Sequence, residues 1–191
     1  IRDSSTSRGL GDVYKRQGLG MTRITELVQE IAMSHQPSAV GGIGQCDVFP
    51  NSRNIIPGKV VFTIDFRSPS FDVQDDMEKR LYEGAKKIAS DLELTVEFEK
   101  VGHFDPVTFD EGCVDKVRRA AERLGYSHKN IISGAGHDAC WINKVAPTAM
   151  VMCPCVDGLS HNEAEEISQE WAVAGSNVLF HAVLETAEIA D

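Results

Sequence analysis

Three short stretches of this sequence hold residue types that could do chemistry. The first is Gly158-Leu159-Ser160-His161-Asn162-Glu163-Ala164-Glu165-Glu166. Neutral imidazole is a common metal ligand, and carboxylates close by can ligate as well or orient the ring. The same residues also fit a surface histidine at the start of an acidic helix. The second is Ser133-Gly134-Ala135-Gly136-His137-Asp138. Its glycines let backbone approach a ligand closely, and a histidine beside an aspartate follows. No Gly-Lys-Ser/Thr follows, which argues against a phosphate loop, and a plain helix entry at Asp138 is the competing reading. The third is the pair Asn54 and Arg67 around an alternating segment. A guanidinium grips a carboxylate with two parallel bonds, although Arg67 could equally form a surface ion pair with Asp65.

Other groups carry less. Cys153-Pro154-Cys155 lies in an apolar run and reads as core rather than as a metal or redox pair. His35, His103, His128 and His181 read as structural or solvent-facing. No Gly-x-Ser-x-Gly elbow occurs, so serine chemistry has no anchor.

The elements that must position these residues follow from periodicity. Ile24, Leu27, Val28 and Ile31 predict an amphipathic helix from Met21 to about Ser34. Ala39 to Phe49 reads as a strand interrupted by Gly41, Gly42 and Gly44. Lys59 to Arg67 alternates cleanly, with Val60, Phe62, Ile64 and Phe66 on one face and Val61, Thr63, Asp65 and Arg67 on the other. A helix from about Val73 to Leu92 and a strand from Leu94 to Phe98 complete an α-β-β-α-β order, which looks one strand short at its start. After Pro106 come a helix over Cys113–Leu124, a short helix over Ala139–Val145, a buried strand over Ala149–Cys155 and a long helix over Trp171–Ile189. His161 is thereby expected in the loop at the C-terminal end of a buried strand, where open α/β sheets build their sites. The domain boundary is expected near residues 103–108.

Length and composition are those of a globular protein: 191 residues, 42% apolar, with a formal net charge of −10. That charge disfavours nucleic acid and acidic membranes as partners. No apolar run reaches the roughly 18 residues of a membrane span, and no signal peptide is visible. The five cysteines are odd in number with apolar neighbours, which points to reduced thiols in the cytoplasm. Residues 1–19 reverse the charge sign, and without them the rest stands at −12. They are expected to be a disordered or non-native tail.

Taken together, Pro50–Gly58 running on to Asp65-Phe66-Arg67, Ser133–Ala139 and Pro154–Glu163 resemble the hydantoinase/carbamoylase amidases. That family contains N-carbamoyl-L-amino-acid hydrolases, metal-dependent β-ureidopropionases and allantoate amidohydrolases. The resemblance covers about residues 20–188, with order and spacing in agreement. It implies an α/β fold in which residues 20–105 are part of a ferredoxin-like lid and dimerisation domain lacking its first strand. Residues 106–191 would be the C-terminal part of an aminopeptidase-like catalytic domain.

By the same resemblance, His161 matches a metal-ligating histidine, while Asn54, Arg67, Gly136 and His137 match substrate-holding positions, with Arg67 on the substrate carboxylate. The implied cofactor is a pair of divalent cations, Zn2+ or Mn2+, which would activate a shared water with a glutamate shuttling the proton. The implied partners are an N-carbamoyl or ureido acid and a second copy of the chain. The family's remaining ligands and catalytic glutamate precede the lid and have no counterpart here, so the sequence reads as a C-terminal portion, inactive by itself. An aminoacylase or dipeptidase of the same clan, or a non-catalytic dimerisation or binding fragment, are the competing readings. One tension is visible already. Thirteen residues separate Asn54 from Arg67, and even a tight reversal at Pro57-Gly58 leaves them roughly 20 Å apart along the strand. They sit either on a folded-back loop or in two active sites across a dimer.

Overall fold

The computed structural model describes residues 16–187. The chain divides into two compact units, with the boundary between Pro106 and Val107.

The first unit contains helix α1 (Gln17–Ser34), strands β1 (Val40–Phe49) and β2 (Lys59–Arg67) and helix α2 (Phe71–Asp91). The strands form an antiparallel hairpin, with Val40 opposite Arg67 at one end and Phe49 opposite Lys59 at the other. Alternation along β2 puts Phe62, Ile64 and Phe66 against the helices, while Val61, Thr63, Asp65 and Arg67 are exposed. The core consists of Ile24, Val28 and Ile31 from α1 with Met77, Leu81 and Ala85 from α2. These repeats of three and four are the apolar stripes that helices bury.

Glycines in β1 do not break the strand. Gly41 faces Phe66, whose ring occupies the place a side chain would need. The irregularity falls instead between Ile43 and Cys46, where Thr63 Oγ1 accepts the Gln45 amide at 2.9 Å. A bulge displaces an amide from the ladder, and a hydroxyl across the sheet satisfies it.

In the second unit, α3 (Glu111–Arg123) packs on α5 (Gln169–Ala187) through Ala120, Ala121, Val178 and Ala182. Asp110 caps α3 by accepting the Cys113 amide at 2.8 Å. Gly125 ends it at φ +72°, with the Tyr126 amide returning to Ala121 O at 3.0 Å, a Schellman closure. The short α4 (Asp138–Ile142) and a 3-10 turn (Val156–Gly158) lie between α3 and α5.

The structure departs from the sequence-based expectations in three places. Helix α1 begins at Gln17, so residues 17–19 are helical rather than tail, while residues 1–15 lie outside the described residues, as does Ile189. Leu94–Phe98 forms no strand ladder, and neither does Ala149–Cys155. Leu94 and Val96 alternate with exposed Thr95 and Glu97, and Val151, Cys153 and Cys155 with exposed Met152 and Pro154, as strand residues would. A strand, however, needs a hydrogen-bonded neighbour, and the described residues contain one sheet of two strands. Met152, expected to be buried in a strand, is 45% exposed. Over the described residues the fold is thus mixed α/β, with a two-stranded sheet and five α-helices.

Candidate functional site

Each unit presents its own set of polar groups. In the first, the loop 50–58 joins β1 to β2 and is closed at its base by Gly58 N–H donating to Phe49 O at 2.9 Å. Within it the Ile55 amide reaches Ser52 O at 3.2 Å, making a turn that carries Asn54 at the exposed tip. Ser52 Oγ donates to Asn54 Oδ1 at 2.8 Å. This bond uses the acceptor of the side chain and leaves its NH2 donors for another partner.

Arg67 stands at the far end of β2, opposite Val40. Its Nε and Nη2 both donate to Asp65 Oδ2, at 2.9 Å and 2.5 Å. The bond and charge of Asp65 raise the pKa of the guanidinium above its ordinary value, so Arg67 is a permanent cation. Eight residue steps along β2 separate the two strand ends, roughly 26 Å at about 3.3 Å per step. The hairpin therefore carries Asn54 and Arg67 at opposite ends, farther apart than an amino-acid-sized ligand spans.

In the second unit, His137 is the residue before α4, in extended conformation at φ −134° and ψ 154°. Ser133 Oγ lies 2.7 Å from His137 Nε2. The same oxygen accepts the Ala135 amide at 3.2 Å. Gly136 is exposed beside them. Three small residues, Gly134, Ala135 and Gly136, let the segment curl so that Ser133 reaches back to His137.

His161 follows the 3-10 turn at φ +56°, a left-handed conformation that histidine enters more readily than most residues. Glu165 holds it there, its Oε2 accepting the His161 amide at 2.8 Å. Glu165 Oε1 also receives Cys155 Sγ at 3.9 Å. The imidazole is exposed. Because no strand forms over 149–155, His161 sits in a bend at the surface and not at a sheet's carboxyl end.

Among the described residues, no group of three or more His, Cys, Asp or Glu side chains is placed to hold a metal. The described residues do not by themselves fit a two-metal centre, whose ions need several protein donors each. Of the other histidines, His35 bonds Asp76 at 2.9 Å, and His103 Nε2 lies 2.9 Å from Asp105 Oδ1. His128 lies 3.6 Å from Glu122, and His181 is in edge-on contact with Phe180. All five cysteines are free, and Cys153 Sγ lies against Gly175. Ser133 is a polar partner that motif reading gave no task, while Glu165, expected among the carboxylates that could ligate a metal or orient the ring of His161, holds that residue's backbone amide. Their signal was spacing: each stands four residues from its histidine, within reach across one turn of chain.

Comparison with known proteins matches this geometry to a family. The pattern of peptidase family M20/M25/M40 fits residues 7–185. An N-carbamoyl-L-amino-acid amidohydrolase of Rhizobium meliloti is 60% identical over 190 residues, covering 100% of this chain and 46% of the relative. The crystal structure of a hydantoinase/carbamoylase-family amidase from Burkholderia multivorans superposes with a TM-score of 0.85 at 50% identity, over 88% of this chain and 41% of that one. At the level of fold alone, the Bacillus subtilis YXEP protein, a dinuclear metal binding peptidase from the M20 family, has a TM-score of 0.60 at 20% identity, over 90% of this chain and 46% of that chain. The chain spans about half the length of the relatives it matches. With its pattern met over nearly the whole sequence, the chain belongs to peptidase family M20/M25/M40, and its structural neighbours are amidases of the hydantoinase/carbamoylase family.

Proposed function

We propose that the whole protein hydrolyses the linear amide C–N bond of an N-carbamoyl amino acid or a related ureido acid. In this reading the chain supplies the substrate-holding groups Asn54, Arg67, Gly136 and His137 and one metal ligand, His161. The observation that carries it is 60% identity, over the full length of this chain, to a relative named for that reaction. The chemistry of the groups agrees. Asn54 NH2, the Arg67 guanidinium and the His137 ring can all donate hydrogen bonds, and an N-carbamoyl amino acid offers a carboxylate and a ureido carbonyl to accept them. Two divalent cations, Zn2+ or Mn2+, belong to the whole enzyme, and the remaining ligands lie outside the groups described.

Residues 20–105 act as a ferredoxin-like lid and dimerisation domain, and residues 106–191 as part of the catalytic domain. The separation of Asn54 from Arg67 supports a homodimer in which one hairpin serves two active sites, one at each end. Among the described residues both edges of the two-stranded sheet lack a neighbouring strand, which supports an assembly role as well, and in this reading the isolated chain acts as a binding and dimerisation module. A cytoplasmic location fits the free thiols.

The test is a chimera in which this chain replaces the 190 aligned residues of the Rhizobium meliloti relative. Metal-dependent ammonia release from N-carbamoyl-L-amino acids is the expected result. Turnover of N-acyl amino acids or dipeptides in its place would move the assignment to an aminoacylase or dipeptidase.

A further inference from the structure

We propose that Ser133 is a positioning residue that fixes His137 as the neutral Nδ1–H tautomer and so makes Nδ1 a hydrogen-bond donor for an oxygen of the ligand. This rests on the reading of His137 as a substrate-holding residue and adds the form in which its ring acts. Two distances carry it. Ser133 Oγ is 2.7 Å from His137 Nε2, and it accepts the Ala135 amide at 3.2 Å.

A serine hydroxyl has one proton and two lone pairs. Ala135 N–H fills one lone pair, since an amide can only donate. The other lone pair is open to solvent at this exposed serine, and in the arrangement proposed the hydroxyl proton goes to His137 Nε2, its one acceptor among the hydrogen bonds of the described residues. A neutral imidazole that accepts at one nitrogen carries its proton on the other. In this arrangement Nδ1 holds the N–H.

The backbone reinforces this arrangement. His137 precedes α4 in an extended conformation and makes no side-chain cap to the helix. The ring is thus held by Ser133 and not diverted into helix capping. With Nδ1–H as donor, His137 offers a hydrogen to a ligand whose polar atoms are mostly acceptors. A second hydroxyl-bearing residue could do the same work, but alanine could not.

The experiment is long-range 15N–1H correlation NMR of the histidine rings of the chain at neutral pH, with His137 assigned by its loss in His137→Gln. The expected spectrum has a protonated Nδ1 and an unprotonated Nε2. In Ser133→Ala the ring should move toward the Nε2–H form, and Ser133→Thr should restore the Nδ1–H form. An Nε2–H ring in the unmodified chain would overturn the proposal, as would a tautomer that ignores Ser133→Ala. If that variant does not fold, the spectrum of the unmodified chain decides alone.

In the chimera, Ser133→Ala should lower kcat/KM by about tenfold, with recovery in Ser133→Thr. Unchanged kinetics in His137→Gln would remove the substrate-holding role while leaving the tautomer assignment standing.

Discussion

Asn54 and Arg67 lie at opposite ends of one β-hairpin, the first in the loop beyond the Phe49–Lys59 pair and the second across from Val40. Two groups so placed cannot hold one small ligand within one protomer. In the homodimer proposed above one hairpin serves two sites, so mixing an Asn54→Ala chimera with an Arg67→Ala chimera should restore activity that neither has alone, through the one intact site of a mixed dimer. Mixed samples as inactive as their parents would place both residues in the same site.

Arg67 itself is expected to act through its fork of donors. Arg67→Lys keeps the charge and loses the bidentate geometry. In the chimera kcat/KM should fall at least about tenfold, or roughly 1.4 kcal/mol of transition-state stabilisation. Thermal stability should hardly change, since the Asp65–Arg67 pair is about half exposed and such pairs contribute at most about 1 kcal/mol. Unchanged kinetics with a lower melting temperature would make Arg67 structural.

Metal content offers a direct check on the chain alone. With no three-donor group among the described residues, the purified chain should retain no stoichiometric Zn2+ or Mn2+ after dialysis and should release no ammonia from N-carbamoyl amino acids. Tight binding of two ions per chain, measured by elemental analysis, would contradict this.

Adjacent glycines in β1 should respond differently to the same substitution. A Cβ on Gly41 would lie 2.4 Å and 2.6 Å from ring atoms of Phe66 and 3.3 Å from the Cβ of Ala32. Phe66 packs on the core and has little room to retreat, so Gly41→Ala should cost about 1–3 kcal/mol. A Cβ on Gly42 meets nothing within 4 Å, and Gly42→Ala should be neutral or stabilising by up to about 1 kcal/mol. Denaturant titration of both variants would show it.

The α3–α5 contact should weaken in acid. Glu185 Oε1 accepts Arg119 Nε at 2.9 Å and its Oε2 accepts Arg123 Nη2 at 2.7 Å. The hydrogen bonds from Arg119, then Arg123, lower the pKa of this carboxyl from its ordinary value. A depressed folded-state pKa gives stability that is present above the unfolded pKa and is lost as pH falls through the folded one. Glu185→Gln should therefore lower the melting temperature at pH 7 and converge with the unmodified chain in acid. A gap that persists in acid would assign the effect to packing.

Much of this protein was legible along the chain because its signals are local. The alternation of Val60, Phe62, Ile64 and Phe66 gave β2 its bounds and the face it buries, since side chains on a strand alternate whatever lies beyond it. Apolar spacing gave α1, α2, α3 and α5 for the same reason, and the three motif segments led to the family. Pairing was not legible. Leu94–Phe98 and Ala149–Cys155 have strand patterns, but a strand exists only where a neighbour supplies hydrogen bonds, and that neighbour is distant in sequence.

The site shows the same division. Asn54, Arg67, Gly136, His137 and His161 were named from residue type and motif. Tertiary structure decided that Asn54 and Arg67 stand at opposite hairpin ends, because the register Val40–Arg67 and Phe49–Lys59 spans the whole length of β2. It also decided that Ser133 reaches the ring of His137 and that Glu165 holds the backbone of His161. Those contacts depend on φ and ψ in glycine-rich and turn segments, where composition permits many conformations and only the folded chain selects one.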